Sequence, residues 1–487
     1  MRCLIKYLIA LYLMIPLAVQ GVEKRYMSLR DVVKMANDSS LSTLRYRNLF
    51  DANYWQWRTF KANRLPSITL NLLPAQYYRY ITQRYNYEEN IDVYRPQQMF
   101  TASAGLSVTQ NVDFLGGTIY LESGLDYMRN FGEYSATQFS SIPIRIGYSQ
   151  QLIGYNAFKW DKRIEPIKYE KAKQELLYNM ETISGEVVEL FFNLALAQTE
   201  YKLAIENVTS CDTLYAIGKR RFNIAAISQD ELLTLKLDKV NAENSLENAK
   251  ISVKKGIFAL ASYLGVDKNT EIEVLIPGRP TPFEIPMDLA LLKARENNPN
   301  LLGHKQSILE AEQEVNRTKA EKNFNASVNA SIGFNQVAPR LSDAYHNLLQ
   351  QDLVSVSVSI PLVDWGVKKG KYNIAKNNLN VAQIAARQQE LDLEQEVMMT
   401  VNDFHSQMRI IESAEEALDL ADRAYYQTKQ RFIIGKADIN SLTLSHNRQQ
   451  EASRNYILAL QNYWANYFKI RKLTLYDFEF NMPLSAE

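Results

Sequence analysis

The side chains that usually do chemistry are few in this 487-residue chain, and they are scattered. The four histidines, His304, His346, His405 and His446, form no HExxH motif and no pair at metal-ligand spacing. The cysteines are Cys3 and Cys211. Cys3 precedes an N-terminal apolar run, so Cys211 is left alone, and one thiol makes no internal disulfide. There is no glycine-rich phosphate loop and no nucleophile elbow. Carboxylates are plentiful, but on helical faces, where solvation is their ordinary role. The pattern offers no catalytic residue, no metal site and no cofactor, and it argues against an enzyme.

The residues that stand out are written twice. KRRFNIAAISQDELL (219–233) returns as KQRFIIGKADINSLT (429–443), identical at five of fifteen positions, among them Arg221/Arg431 and Phe222/Phe432. Ala225 and Gly435 fall where the chain must turn tightly; glycine takes a positive φ cheaply, alanine less so. Ser228 and Asp438 precede the next helix and read as N-caps. Asp230 and Glu231 lie in the first turn of the helix after Ser228, where acids favour the helix dipole.

The echo extends well beyond these turns. At the same offset of 210, residues 150–164 face 360–374, and about 110 residues repeat in register. Upstream the offset is 260: residues 28–41 face 288–301, and 63–72 face 323–332. The first unit carries about fifty extra residues. This period is too long for a solenoid; it reads as tandem duplication of one large unit. The expected divisions are a signal segment (1–21), a first unit (22–264), a linker (265–286), a second unit (287–475) and a tail (476–487). The linker holds Pro277, Pro280, Pro282 and Pro286 and cannot be helical throughout.

Each unit reads as helix, strands, long helix, turn, helix. In the first, Met180, Ile183, Val187, Leu190, Leu194, Ala197, Tyr201, Ala204 and Val208 step by three and four, a coiled-coil seam within a helix over 155–217. Its counterpart spans 367–428. Helices of near 35 residues are expected over 29–63, 229–263, 289–323 and 439–473. Pro166 should lie near a helix start or kink it.

Lys+Arg is 55 and Asp+Glu is 54, a balance that gives no reason to expect a nucleic-acid partner. Residues 1–21 combine Arg2 and Lys6 with an apolar run and small Gly21, the form of a secretory signal. Beyond them no run of eighteen apolar residues occurs, so no spanning helix is expected. The strands alternate instead. Val354, Val356, Val358, Ile360 and Leu362 oppose Ser355, Ser357 and Ser359; Ala102, Ala104, Leu106 and Val108 oppose Ser103, Gly105, Ser107 and Thr109. Ile68/Leu70/Leu72, Ile119/Leu121/Leu125, Val328/Ala330/Ile332/Phe334 and Ile142/Ile144/Ile146/Tyr148 follow suit. An apolar face against a face of Ser, Thr, Asn and Gly suits a transmembrane barrel with a watery lumen. Ten of the 29 tyrosines lie within 66–152 and suit an interfacial girdle. Residues 83–98 and 128–141 read as long outer loops, and 111–117 as a short turn. Six strands are too few to close a barrel, so several chains must contribute.

Taken in order, these pieces resemble the TolC-like outer-membrane efflux family over nearly the whole chain. The marks are the paired segments IRIGYSQQLIG and VSVSIPLVDWG, the two R-F-x-I-[AG] turns, and the tandem unit itself. The resemblance implies a homotrimer in a Gram-negative outer membrane. Each subunit would give four strands to a shared β-barrel, continuous with a long antiparallel α-helical tunnel through the periplasm. It implies a periplasmic adaptor and an inner-membrane pump, proton-driven or ATP-driven, as partners, in efflux or type I secretion. The turns with Arg221, Phe222, Ala225, Ser228, Arg431, Phe432, Gly435 and Asp438 would form the periplasmic tip, six to a ring. Closed entrances in the family use an acid, a tyrosine, an arginine and aspartates where this chain has Glu231, Phe432, Ala437, Ser441 and Leu444, so packing is expected to close this one. The acids at that mouth would be Asp230, Glu231 and Asp438, which could ring it and select cations, but their plainer role at a helix start carries more weight. The hairpin 101–127 is also extra: in the wall it gives 18 strands per trimer, folded aside 12, and its clean alternation favours the wall. A passive porin and a coiled-coil envelope rod are the rival readings.

Overall fold

The computed structural model describes residues 24–132, 135–267, 270–322 and 324–485; the expected signal segment lies outside the described residues. In chain order the elements are β1 (Lys24–Ser28), α1 (Leu29–Ser39), α2 (Leu41–Ala62), β2 (Ser67–Asn86), β3 (Ile91–Val112), β4 (Gly117–Phe131), β5 (Ala136–Ile153), α3 (Ala157–Asn223), α4 (Gln229–Leu264), β6 (Glu271–Leu275), α5 (Met287–Asn297), α6 (Pro299–Lys322), β7 (Asn325–Ala338), β8 (Leu349–Ser359), α7 (Val367–Ile433), α8 (Ile439–Thr474), β9 (Tyr476–Asp477) and β10 (Met482–Pro483). The chain divides into two compact units. One holds residues up to 49, 174–298 and from 391 onward; the other holds 50–173 and 299–390.

α3 and α7 are each 67 residues long and α4 and α8 each 36. At about 1.5 Å per residue the long pair run near 100 Å each. Both pairs are offset by 210 positions. Within the first unit the expected seam of α3 is buried at Ile183, Val187, Leu194, Ala197 and Ala204. A second stripe, Val188, Phe191, Phe192 and Ala195, is fully buried too. The buried arc is therefore wider than the seam of a two-stranded coil, because more than one element covers this helix. α7 buries Leu393, Val397, Val401, Phe404 and Ile411 at comparable spacing.

Two expected helices are broken. The helix over 29–63 stops at Ser40, whose backbone is extended and whose hydroxyl accepts from the Thr43 amide at 3.1 Å, starting α2 afresh. The helix over 289–323 stops at Asn298, just before Pro299, which suits a first helical position. Asn298 is buried, and its amide donates to the carbonyl of Leu473 at 3.1 Å. Pro166 lies inside α3, nine residues past its start, without ending it. The proline-rich linker holds β6, which pairs in parallel with β1, from Lys24 opposite Glu271 to Ser28 opposite Leu275.

A buried ionic cluster ties this unit together. Arg471 of α8 donates to both oxygens of Glu181 of α3, at 3.0 and 2.9 Å, and also meets Asp477 of β9. Tyr467 donates to Asp477 and Glu479 and accepts from Arg471. Burial pushes the Glu181 carboxyl above its ordinary range, and the Arg471 guanidinium pulls it back.

The other unit holds a six-stranded antiparallel sheet in the order β2-β3-β4-β5-β7-β8. The extra hairpin lies within it: β3 pairs without a break from Gln98 opposite Phe131 to Val112 opposite Gly117, and β4 pairs onward with β5. The strands are longer than expected. Residues 83–98 are not a loop: Asn86 still pairs with Ile91 across a four-residue turn. Residues 128–141 are mostly strand as well, β4 ending at Phe131 and β5 starting at Ala136. Polar residues filled these segments because a hairpin in water needs no apolar face. Ile142 departs from the face of Ile144, Ile146 and Tyr148, because a register shift between Ser141 and Ile144 interrupts the alternation.

Replacing Arg471 by Met should leave Glu181 and Asp477 buried without a cation, a loss of about 3–5 kcal/mol. Hydrogen–deuterium exchange should show lost protection across 467–477 and around residue 181.

Candidate functional site: paired helical turns and a six-stranded sheet

The repeated motif folds into two near-identical turns. After α3 the amide of Ala226 bonds the carbonyl of Arg221 at 2.8 Å, and that of Ala225 bonds Phe222 at 2.9 Å. After α7, Lys436 bonds Arg431 at 2.8 Å and Gly435 bonds Phe432 at 3.0 Å. This double bond is the Schellman cap, which needs one left-handed residue. Ala225 fills that role at φ +57° and Gly435 at φ +78°. Ser228 then starts α4 with a reciprocal capping box: its hydroxyl accepts from the Glu231 amide at 3.3 Å, and Glu231 accepts from the Ser228 amide at 2.9 Å. Asp438 starts α8 by accepting from the Ser441 amide at 2.7 Å. The hydroxyl and amide of Ser441 hold the Asp438 carboxyl below the ordinary carboxylate range.

The twin residues do different work. Arg221 reaches the other turn, donating to the carbonyls of Phe432 at 3.4 Å and Ile433 at 3.2 Å at the C-terminal end of α7, where the helix dipole favours a cation. Its guanidinium lies over the Phe432 ring, 5.8 Å from the centroid. Among the described residues Arg431 bonds its own turn, at the carbonyl of Lys436. Phe432 is 5% exposed in a cluster with Leu214, Leu235 and Leu442, whereas Phe222 is 39% exposed. The structure thus brings together Arg221, Phe432 and Gly435. Ser228, Glu231 and Asp438 each serve their own helix start, and Asp230 stays exposed on α4.

Sequence reasoning missed a polar cavity of about 220 Å³ where α3, α4, α7 and α8 meet. Ser210, Cys211, Asp238, Tyr425 and His446 line it. Burial, helped by Asp238 and Asp212, pushes the Cys211 thiol up to about 11, so it is inert as a nucleophile at neutral pH. His446 packs against the Tyr425 ring at 5.2 Å between centroids, and neither ring nitrogen finds a hydrogen-bond partner. Gln449 donates from Nε2 to Asp422 at 2.9 Å. Burial lowers the His446 pKa, Gln449 opposes that shift, and Lys429 adds to it. No spacing rule flags this group, because each element contributes only one or two of its residues.

The sheet has two unlike faces. Ile68, Val108, Leu121, Ile146 and Ile332 form one apolar row across five strands, and Thr69, Ser107, Glu122, Arg145 and Gly333 form a row on the opposite face. Arg145 donates to Glu122 from Nε at 3.0 Å. Tyr120 lies flat over Gly147 on this polar face, where any Cβ would collide with its ring. No helix among the described residues is long and apolar enough to cross a membrane.

Residues 290–474 match the family profile described as outer membrane efflux protein. That match lies within the second half of the chain. The fold likeness covers nearly everything. The Campylobacter jejuni CmeC outer membrane channel matches over 92% of this chain and 85% of its own, at 14% identity and a TM-score of 0.67. The Vibrio cholerae outer membrane protein VceC matches over 92% and 95%, at 14% and 0.60, and the open state of the Neisseria gonorrhoeae MtrE outer membrane channel over 92% and 88%, at 12% and 0.58. A search against curated protein sequences returns no match. The resemblance drawn from the sequence therefore stands, and outer membrane efflux proteins are transport channels rather than enzymes.

Two outcomes are expected. Gly435→Ala should destabilise its cap by about 1 kcal/mol and Ala225→Gly should relieve its own by a similar amount, read as opposite changes in amide-exchange protection at the two turns. The stability contributed by neutral, packed His446 should be full above its ordinary pKa near 6.5 and fade as the pH falls toward its lowered folded value. Exchange rates corrected for pH should show the four-helix contact loosening on acidification, and His446→Phe should abolish that dependence.

Proposed function

We propose that three copies of this chain form an outer-membrane efflux or secretion channel. The six-stranded sheets would together make one β-barrel, and the long helices a periplasmic tunnel. An inner-membrane pump, joined through a periplasmic adaptor, would feed substrates into it. The observation that carries this reading is the sheet: two unlike faces and two bare edges, in a chain whose described helices cannot span a membrane. The charged pair Glu122–Arg145 and Tyr120 share the polar face, which suits a water-filled lumen.

Two further surfaces favour self-association. α4 exposes Leu233, Leu237 and Val240 along one side. α7 and α8 leave an open groove whose lining includes Ile410, Leu420 and Leu444. Unlike patches that meet head to tail build a ring when the rotation closes. The two turns of each chain, in three copies, then form a ring of six tips, the functional reason for the repeated motif. Phe222, Ile224 and Ile434 are exposed beside the capped helix ends, and with Arg221, Ala225, Ser228, Arg431, Gly435 and Asp438 they make the surface offered to the adaptor.

A photo-reactive residue at Asn223 or Ile433 in living cells should capture a periplasmic adaptor. The adaptor of a proton-driven pump would mean drug or metal efflux, and that of an ATP-driven transporter would mean polypeptide secretion or macrolide-type export. Capture of nothing but its own subunits by an intact trimer would remove the docking claim and favour a passive porin, which should conduct freely in a planar bilayer.

A further inference from the structure

We propose that the β2 edge of one copy pairs with the β8 edge of the next, so that three copies build a wall of 18 strands; this rests on the trimeric channel proposed above. Among the described residues β2 pairs only with β3, and β8 only with β7. A single copy cannot satisfy these edges itself, because six strands fall short of about eight, the small closed barrels. In hydrocarbon each unpaired backbone group costs several kcal/mol, so a second copy is the occupant these edges require.

Three features of the sheet fit that occupant. The strands are consecutive and antiparallel, and their number is even, so β8 runs opposite to β2. Joining β8 to the next copy's β2 therefore continues the antiparallel pattern, which an odd count would break. Both edges also alternate in the same way. Ile68, Leu70 and Leu72 oppose Thr69 and Asn71 on β2, and Val354, Val356 and Val358 oppose Ser355 and Ser357 on β8. The apolar face can thus run across the junction over Val354–Val358, while Asp352 and Gln350 end it farther along β8. Finally, Ile68 and Val354 are 71% and 75% exposed, which leaves room for a neighbour at both edges.

The extra hairpin belongs to this wall and does not decorate its rim. β3 and β4 are paired on both sides, and Glu122 of β4 is bonded to Arg145 of β5. Swinging the hairpin aside would strip β5 of its β4 partners from Ala136 to Ser149 and leave Arg145 without its carboxylate. At equal tilt the diameter of a barrel grows with strand number, so 18 strands give a wall about one and a half times as wide as 12. A barrel of that size holds an aqueous channel that side chains do not fill. The membrane segment is then a broad outlet, and selection falls to the helical turns and to whatever feeds them.

Cryo-electron microscopy of the full-length protein, extracted in detergent and placed in nanodiscs, tests this directly. The expected result is three copies and 18 strands, with β2 beside the β8 of a neighbour. Three copies around a 12-stranded wall, with β3 and β4 outside it, would overturn the proposal and leave the trimeric channel intact. Another copy number, or no closed barrel, would overturn both.

Discussion

A strand edge in a membrane must be paired. In water an exposed edge is a nuisance; in hydrocarbon it is prohibitive, because nothing else offers hydrogen bonds to its amides and carbonyls. Among the described residues the sheet of this protein has two open edges, at β2 and β8, and its alternating faces suit lipid on one side and water on the other. Much follows from that constraint. In the channel proposed above it would make the single chain an incomplete object, call for an even number of strands per copy, and tolerate the added hairpin only because two strands were added together. One extra strand would have reversed the direction of β8 relative to β2.

The helical unit solves a different problem, holding very long helices in place with few loops. Broad apolar arcs on α3 and α7 do most of this. The buried cluster of Arg471, Glu181, Asp477 and Tyr467 adds direction. Buried ions contribute little net stability, but a mispaired one is costly. The cluster thereby fixes how α8 and the C-terminal β9 sit against α3. The small parallel pair β1–β6 does similar work for the linker, which would otherwise be a proline-rich tether.

The two turns show how duplicated motifs diverge once they are packed together. Both keep the same cap, and each is followed by a side-chain N-cap. Yet only one arginine crosses to the other turn, and only one phenylalanine is buried. Gly435 leaves room for the Arg221 guanidinium, whose Nη2 lies 3.0 Å from where a Cβ would stand. The other phenylalanine, Phe222, stays exposed.

Periodicity and local chemistry were enough to read much of this from the sequence. Alternation marked the six strands and their faces, because the pleat gives side chains a period of two whatever lies beyond them. The steps of three and four marked the long helices, and Ser228, Asp438, Ala225 and Gly435 announced the caps, because capping is settled within a few residues. Polar hairpin arms such as 83–98 escaped, since strands in water need no apolar signal, and the breaks at Ser40 and Asn298 depended on partners such as Leu473, distant in sequence. Nothing in the repeat said which twin of Arg221/Arg431 would cross or which of Phe222/Phe432 would be buried. Nor did any spacing join Cys211, Tyr425 and His446 around one cavity. Those outcomes were decided by tertiary packing, because they depend on which helices become neighbours, and that is a property of the whole chain rather than of any window along it.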